Sequence, residues 1–206
     1  MPTIGPLHPD DSRATRATLF LRLRPDADGR EMAWREFHDR YAPIIAGFAR
    51  KMSVPEQDVS DLVQDVLAGF FAASPKFAYD PARGRFRGYL KTCVWHVFQK
   101  RLGERLRLGD RRVTEVDPAD VGVEQVWNDV WESEKLQRAM EIVRERYAAR
   151  PERAKTWQAF EMATLLDRPT DDVAAELAMP LDSVHQARTR VSKAIRAAME
   201  EIDGGE

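Results

Sequence analysis

Between Glu56 and Ala73, apolar residues recur at Val59, Leu62, Val63, Val66, Leu67, Phe70 and Phe71, the i, i+3, i+4, i+7 rhythm of one helix face. Asp58, Asp61, Gln64 and Asp65 fall on the opposite side. The preceding stretch, Glu31 to Met52, repeats the rhythm with Trp34, Phe37, Tyr41, Ile45, Phe48 and Met52, and predicts a long helix with Pro43 as its kink. From Tyr79 to Leu108 a third stripe, Phe86, Tyr89, Leu90, Cys93, Val94, Val97, Phe98 and Leu102, reads as one more long helix. A short helix over Thr15 to Leu23, ended by Pro25, Asp26, Asp28 and Gly29, precedes them, and residues 1–14 read as a mobile tail.

The C-terminal third continues the helical period. Lys135 to Tyr147 (Leu136, Met140, Val143, Tyr147) and Ala154 to Leu166 (Trp157, Phe160, Thr164) predict two helices separated at Pro151. Thr170 then stands where it can cap the helix D-D-V-A-A-E-L, with Asp171 and Asp172 in its first turn. After the break A-M-P a last helix runs from about Leu181 to Glu201, which is helix-turn-helix spacing. At about 100° per residue, Val184, Ala187, Val191 and Ile195 face inward. Asp182, His185, Gln186, Thr189, Lys193 and Arg196 face outward, with Arg190 at the flank. An outward set of this kind suits a nucleic-acid groove, and an ordinary helical hairpin is the other reading. Helical patterns along the whole chain predict an all-α protein.

Composition narrows the class. The 206 residues, 43% apolar and 32% charged, suit one or two globular domains. A single cysteine, Cys93, excludes an intramolecular disulfide, and the chain shows neither a signal-peptide pattern nor an apolar run that spans a bilayer, so a cytoplasmic location is expected. The four histidines and one cysteine lack metal-ligand spacing, and neither a phosphate-binding glycine loop nor a nucleophile motif is present. Neither a cofactor nor an enzymatic activity is expected.

Charge changes the picture more. The formal net charge is only −2, but it is segregated. Residues 83, 85, 87, 91, 100, 101, 105, 107, 111 and 112 are Lys or Arg, against Glu104 and Asp110 as the acids of that stretch. Directly afterwards Glu115, Asp117, Asp120, Glu124, Asp129, Glu132 and Glu134 follow with no Lys or Arg among them. The basic helix is suited to phosphates, and Phe77, Tyr79 and Phe86, in or beside a Pro/Gly loop, are placed to stack on unpaired bases. A solvated basic face over an ordinary core is the alternative. The shift in composition marks residues 109–133 as an acidic linker between a domain over 15–108 and one over 134–202. Within it Val123, Trp127, Val130 and Trp131 have helical spacing, enough to begin a helix or to dock as an anchor. The acids either lie across the basic face or keep a solvated tether extended.

These residues together carry a resemblance. The long helix with Trp34 to Tyr41, D-L-V-Q-D-V from Asp61, F-x-Y-D-P-x-R-G-R-F-R-G-Y-L from Phe77, the acidic linker and the terminal helix-turn-helix resemble a bacterial RNA polymerase sigma factor. More narrowly, the order is similar to the two-domain extracytoplasmic-function group of the sigma-70 family. The resemblance implies that Asp58, Asp61, Gln64 and Asp65 meet the clamp helices of the polymerase β′ subunit, with the β flap as a second contact. It implies that Lys76, Phe77, Tyr79, Arg83, Arg85, Phe86, Arg87, Lys91, Trp95, His96, Gln99 and Lys100 open and hold the minus-ten promoter element. Ser183, His185, Gln186, Thr189, Arg190, Lys193 and Arg196 would read the minus-thirty-five element, and a separate anti-sigma factor would control the protein. The chain departs from the family at Trp95-His96, where Arg-Asn is usual, at Ala178 in place of the turn glycine, and at His185-Gln186-Ala187 in the recognition helix. Weak overall charge fits such a protein, because core polymerase supplies much of the nucleic-acid contact. A stand-alone helix-turn-helix regulator, binding a palindrome as a dimer, is the related alternative. A helical adaptor without a DNA role is the unrelated one.

Overall fold

The computed structural model describes residues 16–24, 27–74, 86–108 and 122–204, and all regular structure among them is helical. In order these are α1 (Arg16–Arg22), α2 (Arg30–Lys51), α3 (Glu56–Ala73), α4 (Phe86–Arg107), α5 (Val123–Ala148), α6 (Pro151–Phe160), α7 (Thr170–Glu176) and α8 (Leu181–Gly204). Contacts divide the chain into two units, one reaching to Trp131 and the other Glu132–Gly204.

In the first unit, α2 begins after Gly29, whose φ of 74° is the left-handed region where glycine carries no Cβ penalty. It then runs without a break through Pro43, although proline removes one helical hydrogen bond. Burial of Phe37, Tyr41, Ile44, Ile45 and Phe48 on the same helix offsets that loss. The turn to α3 is clamped by Arg50, which donates to both carboxylate oxygens of Glu56 at 2.7 to 3.2 Å. That hydrogen bond holds the Glu56 carboxyl below its ordinary pKa. The observed α3 has the predicted bounds and buries Val59, Leu62, Val63, Val66 and Phe70. Leu67 is only half-buried, and Phe71 stays 47% exposed at the edge of the stripe with the Arg30 guanidinium 4.7 Å above its ring.

Aromatic rings make the centre of this core. Phe37 stacks on Phe70 at 4.6 Å, and Phe86 lies 4.7 Å from Phe20 and 5.0 Å from Tyr41. Each such pair contributes about 0.5–1.5 kcal/mol beyond the area it buries. The first turns of α5 complete the core: Trp127 is 1% exposed and meets Phe48 edge-on at 5.5 Å, and Trp131 lies 6.4 Å from Tyr41. This corrects the expected linker at its C-terminal part. Residues 123–133 are helical, and Val123, Trp127, Val130 and Trp131 act as a core anchor of the first unit. Residues 109–121 lie outside the described residues, as do the tail and residues 79–85 of the expected third helix.

The second unit is built on α6 and α8. Trp157 and Phe160 of α6 pack with Ala139 and Val143 of α5 and with Val191, Ile195 and Ala198 of α8. Leu136, expected on the buried stripe, is 40% exposed, because Ala139 and Val143 face the core instead. Past Phe160 the helix loosens into a π-helical turn, Glu161–Leu165, so Thr164 points outward rather than into the core. The expected cap at Thr170 does not form: Pro169, extended at ψ 134°, holds the N-cap position and Thr170 is the first helical residue.

Ala178, within the short connection from α7 to α8, is in the left-handed region at φ 48°. A Cβ there costs about 1–2 kcal/mol, more than the extra entropy a glycine loses on folding. Ala178→Gly is therefore expected to stabilise the second unit by about 0.5–1 kcal/mol, read as a rise in the thermal unfolding midpoint. A lowered midpoint would mean that the turn has another conformation.

Candidate functional site

The α3 face carries the expected acidic set, and α4 alters its chemistry. Asp61, Gln64 and Asp65 are exposed and Asp58 is partly so. Asp65 is paired with Arg101 of α4 at 2.6 Å and Asp58 with Arg105 at 3.5 Å. Arg101 and Arg105 belong to the basic run, yet the stretch is not one uninterrupted phosphate-facing surface, because its C-terminal half lies against the acids of α3. These pairs are half-exposed, so each contributes no more than about 1 kcal/mol. Neither arginine is among the site residues expected from the sequence, because their pairing with Asp65 and Asp58 depends on how α3 packs against α4.

The N-terminal half of α4 sorts the candidate nucleic-acid residues. Phe86 is 1% exposed inside the aromatic core, which corrects its expected role as an exposed stacking ring. The neighbouring exposed ring is Tyr89, at 39%. Burial, then a hydrogen bond with Cys93, pushes the Tyr89 phenol up to about 12, and burial also raises the Cys93 thiol. Both groups stay protonated at neutral pH, so neither adds negative charge beside the basic residues. His96 and Lys100 are exposed, while Gln99 is half-buried. Trp95 is also half-buried, packs against the core and stacks on Phe98 at 5.4 Å. Arg87 donates to Asn128 and Lys91 is paired with Glu124, both partners lying in the first turns of α5. Lys76, Phe77, Tyr79, Arg83 and Arg85 lie outside the described residues.

In the second unit, α8 separates its faces as the period requires. Val184, Ala187, Val191 and Ile195 are buried, and His185, Gln186, Thr189, Arg190, Lys193 and Arg196 are exposed; Ser183 is half-buried. Arg190 donates to Gln186 at 3.1 Å and the Thr189 hydroxyl donates to the His185 carbonyl at 3.2 Å. Arg188, also exposed on α8, is a further cation that the periodicity argument missed, because it lies close to the buried face by angle. Among the described residues no group of His, Cys, Asp or Glu is arranged to hold a metal, and no helix is long and apolar enough to cross a membrane.

Most of α2 and all of α3 and α4, with acids on α3 and cations on α4, fall within a known domain family. Residues 37–107 match the Sigma-70 region 2 family model. No curated protein sequence matches the chain. The region 2 match ends at the last residue of α4 and leaves out α1 and the α5 anchor. It supports a Sigma-70 region 2 domain within the first unit.

Proposed function

We propose that the chain is a cytoplasmic sigma factor of the extracytoplasmic-function type that binds core polymerase and directs initiation at promoters with minus-ten and minus-thirty-five elements. The observation that carries this reading is the region 2 match over α2 to α4, in which α3 presents Asp61 and Gln64 to solvent while α4 bears Arg87, Lys91, His96 and Lys100. In the proposal the α3 acids meet the β′ clamp helices, and α4 with the preceding residues 76–85 holds the opened minus-ten strand. α7 and α8 act as the helix-turn-helix of a region 4-like domain beside the β flap. There Arg190, Lys193 and Arg196 contact phosphates, and His185, Gln186 and Thr189 face base edges. An anti-sigma factor is the expected regulator.

The polymerase contact has a direct test. Asp61→Ala combined with Gln64→Ala alters two exposed positions, where stability changes are held to about 0.5 kcal/mol. Affinity for core polymerase is expected to fall by about tenfold, or ~1.4 kcal/mol, by fluorescence titration. Unchanged affinity would remove this face of α3 from the interface.

A further inference from the structure

Two polar contacts tie α5 to α4. Arg87 donates to the side-chain oxygen of Asn128, and Lys91 is paired with Glu124. Arg87 and Lys91 are one helical turn apart, as are Glu124 and Asn128, and the order is reversed between the helices, so one face of each meets the other. The Arg87 guanidinium also sits 5.2 Å above the Trp131 ring. An ion pair whose carboxylate is 68% exposed is weak alone. Here it is held in place by Trp127, Val130 and Trp131, which are buried in the first core. The rim residues Glu124 and Asn128 are not needed for that burial. They offer Arg87 and Lys91 the acceptor oxygens that a phosphate would otherwise supply, and the buried anchor keeps them at high effective concentration.

We propose that the first turns of α5 are an intramolecular competitor: through Glu124 and Asn128 they occupy Arg87 and Lys91 in the free chain, and single-stranded nucleic acid binds there only by displacing them. The proposal rests on the reading of α4 as the nucleic-acid face. Its consequence is that the free chain binds single strands weakly although its basic helix is intact.

The test is a fluorescence-anisotropy titration of the full chain with a labelled single-stranded DNA at fixed salt. Glu124→Gln with Asn128→Ala is expected to bind about fivefold more tightly than wild type. Glu152→Gln, which removes one exposed charge from α6, should leave the affinity near wild type. Adding Arg87→Ala and Lys91→Ala should abolish the gain. Glu124→Gln alone keeps every apolar contact and serves as the second variant should the pair lower the melting transition. No gain, with binding still weakened by Arg87→Ala and Lys91→Ala, overturns the competition and leaves the α4 reading standing. Binding indifferent to Arg87→Ala and Lys91→Ala in both backgrounds overturns the α4 reading at these residues and the proposal with it. A gain that survives those two changes, or is matched by Glu152→Gln, is a long-range charge effect and also overturns the proposal.

Discussion

Phe86→Ala is expected to destabilise the first unit by about 3–5 kcal/mol, the range for truncating a fully buried aromatic ring. The ring lies within 4.7 to 5.9 Å of Phe20, Phe37, Tyr41, Phe70 and Tyr89, so its removal leaves a cavity that helices on three sides must line. Such a loss is a large share of the stability of a small domain. Tyr89→Ala removes an exposed ring one turn away and should cost far less. Denaturant unfolding followed by tryptophan fluorescence suits the comparison, because Trp34, Trp95, Trp127 and Trp131 all lie in this unit. Any loss of promoter activity in Phe86→Ala would then trace to unfolding. Wild-type stability combined with lost single-strand binding would instead place the Phe86 ring against a base.

Trp127→Ala carries a comparable cost, again about 3–5 kcal/mol, although the residue lies outside the region 2 match. Trp127 is 1% exposed against Phe48 and is followed by Val130 and Trp131 in the same core. The anchor is therefore part of the fold of the first unit rather than a passive connection. The same unfolding experiment measures it. A change within about 0.5 kcal/mol, the range of exposed positions, would detach α5 from that core.

These two tryptophan and phenylalanine positions also mark how far the sequence could be read. The α3 helix was legible to its ends because its apolar positions repeat without interruption and prolines and acids bound it. The fate of rings at the edge of a stripe was not. Phe86 and Tyr89 both obey the helical period, and only the placement of Phe20 and Tyr41 decides that Phe86 turns inward while Tyr89 meets solvent. The same ambiguity left Phe71 and Leu136 partly outside the cores that their spacing suggested. Small core residues gave a weak signal: Ala139, Ala159, Ala163 and Ala198 are buried, but alanine is ordinary on either face of a helix. Thr170 looked like a cap because capping side chains prefer that chemistry, but Pro169 takes the position through its fixed φ.

For the candidate site, residue type was legible and partnership was not. The basic run of α4 and the acids of α3 stand out in composition, and α8 shows its exposed set by angle alone. That Arg101 and Arg105 face Asp65 and Asp58 depends on how α3 packs against α4, which no local pattern encodes. Within the acidic residues 115–134 the apolar spacing of Val123, Trp127, Val130 and Trp131 was legible, but which core it joins was not. There Glu124 and Asn128 reach α4 while Trp127 and Trp131 of the same helix are buried in the first core.

Transcription reconstituted from purified core polymerase, this chain and a promoter library tests the central claim most directly. Specific start sites should appear that neither protein component gives alone, and they should be lost when Lys193 and Arg196 are both changed to alanine. Start sites identical to those of core polymerase without the chain would contradict its role as a sigma factor.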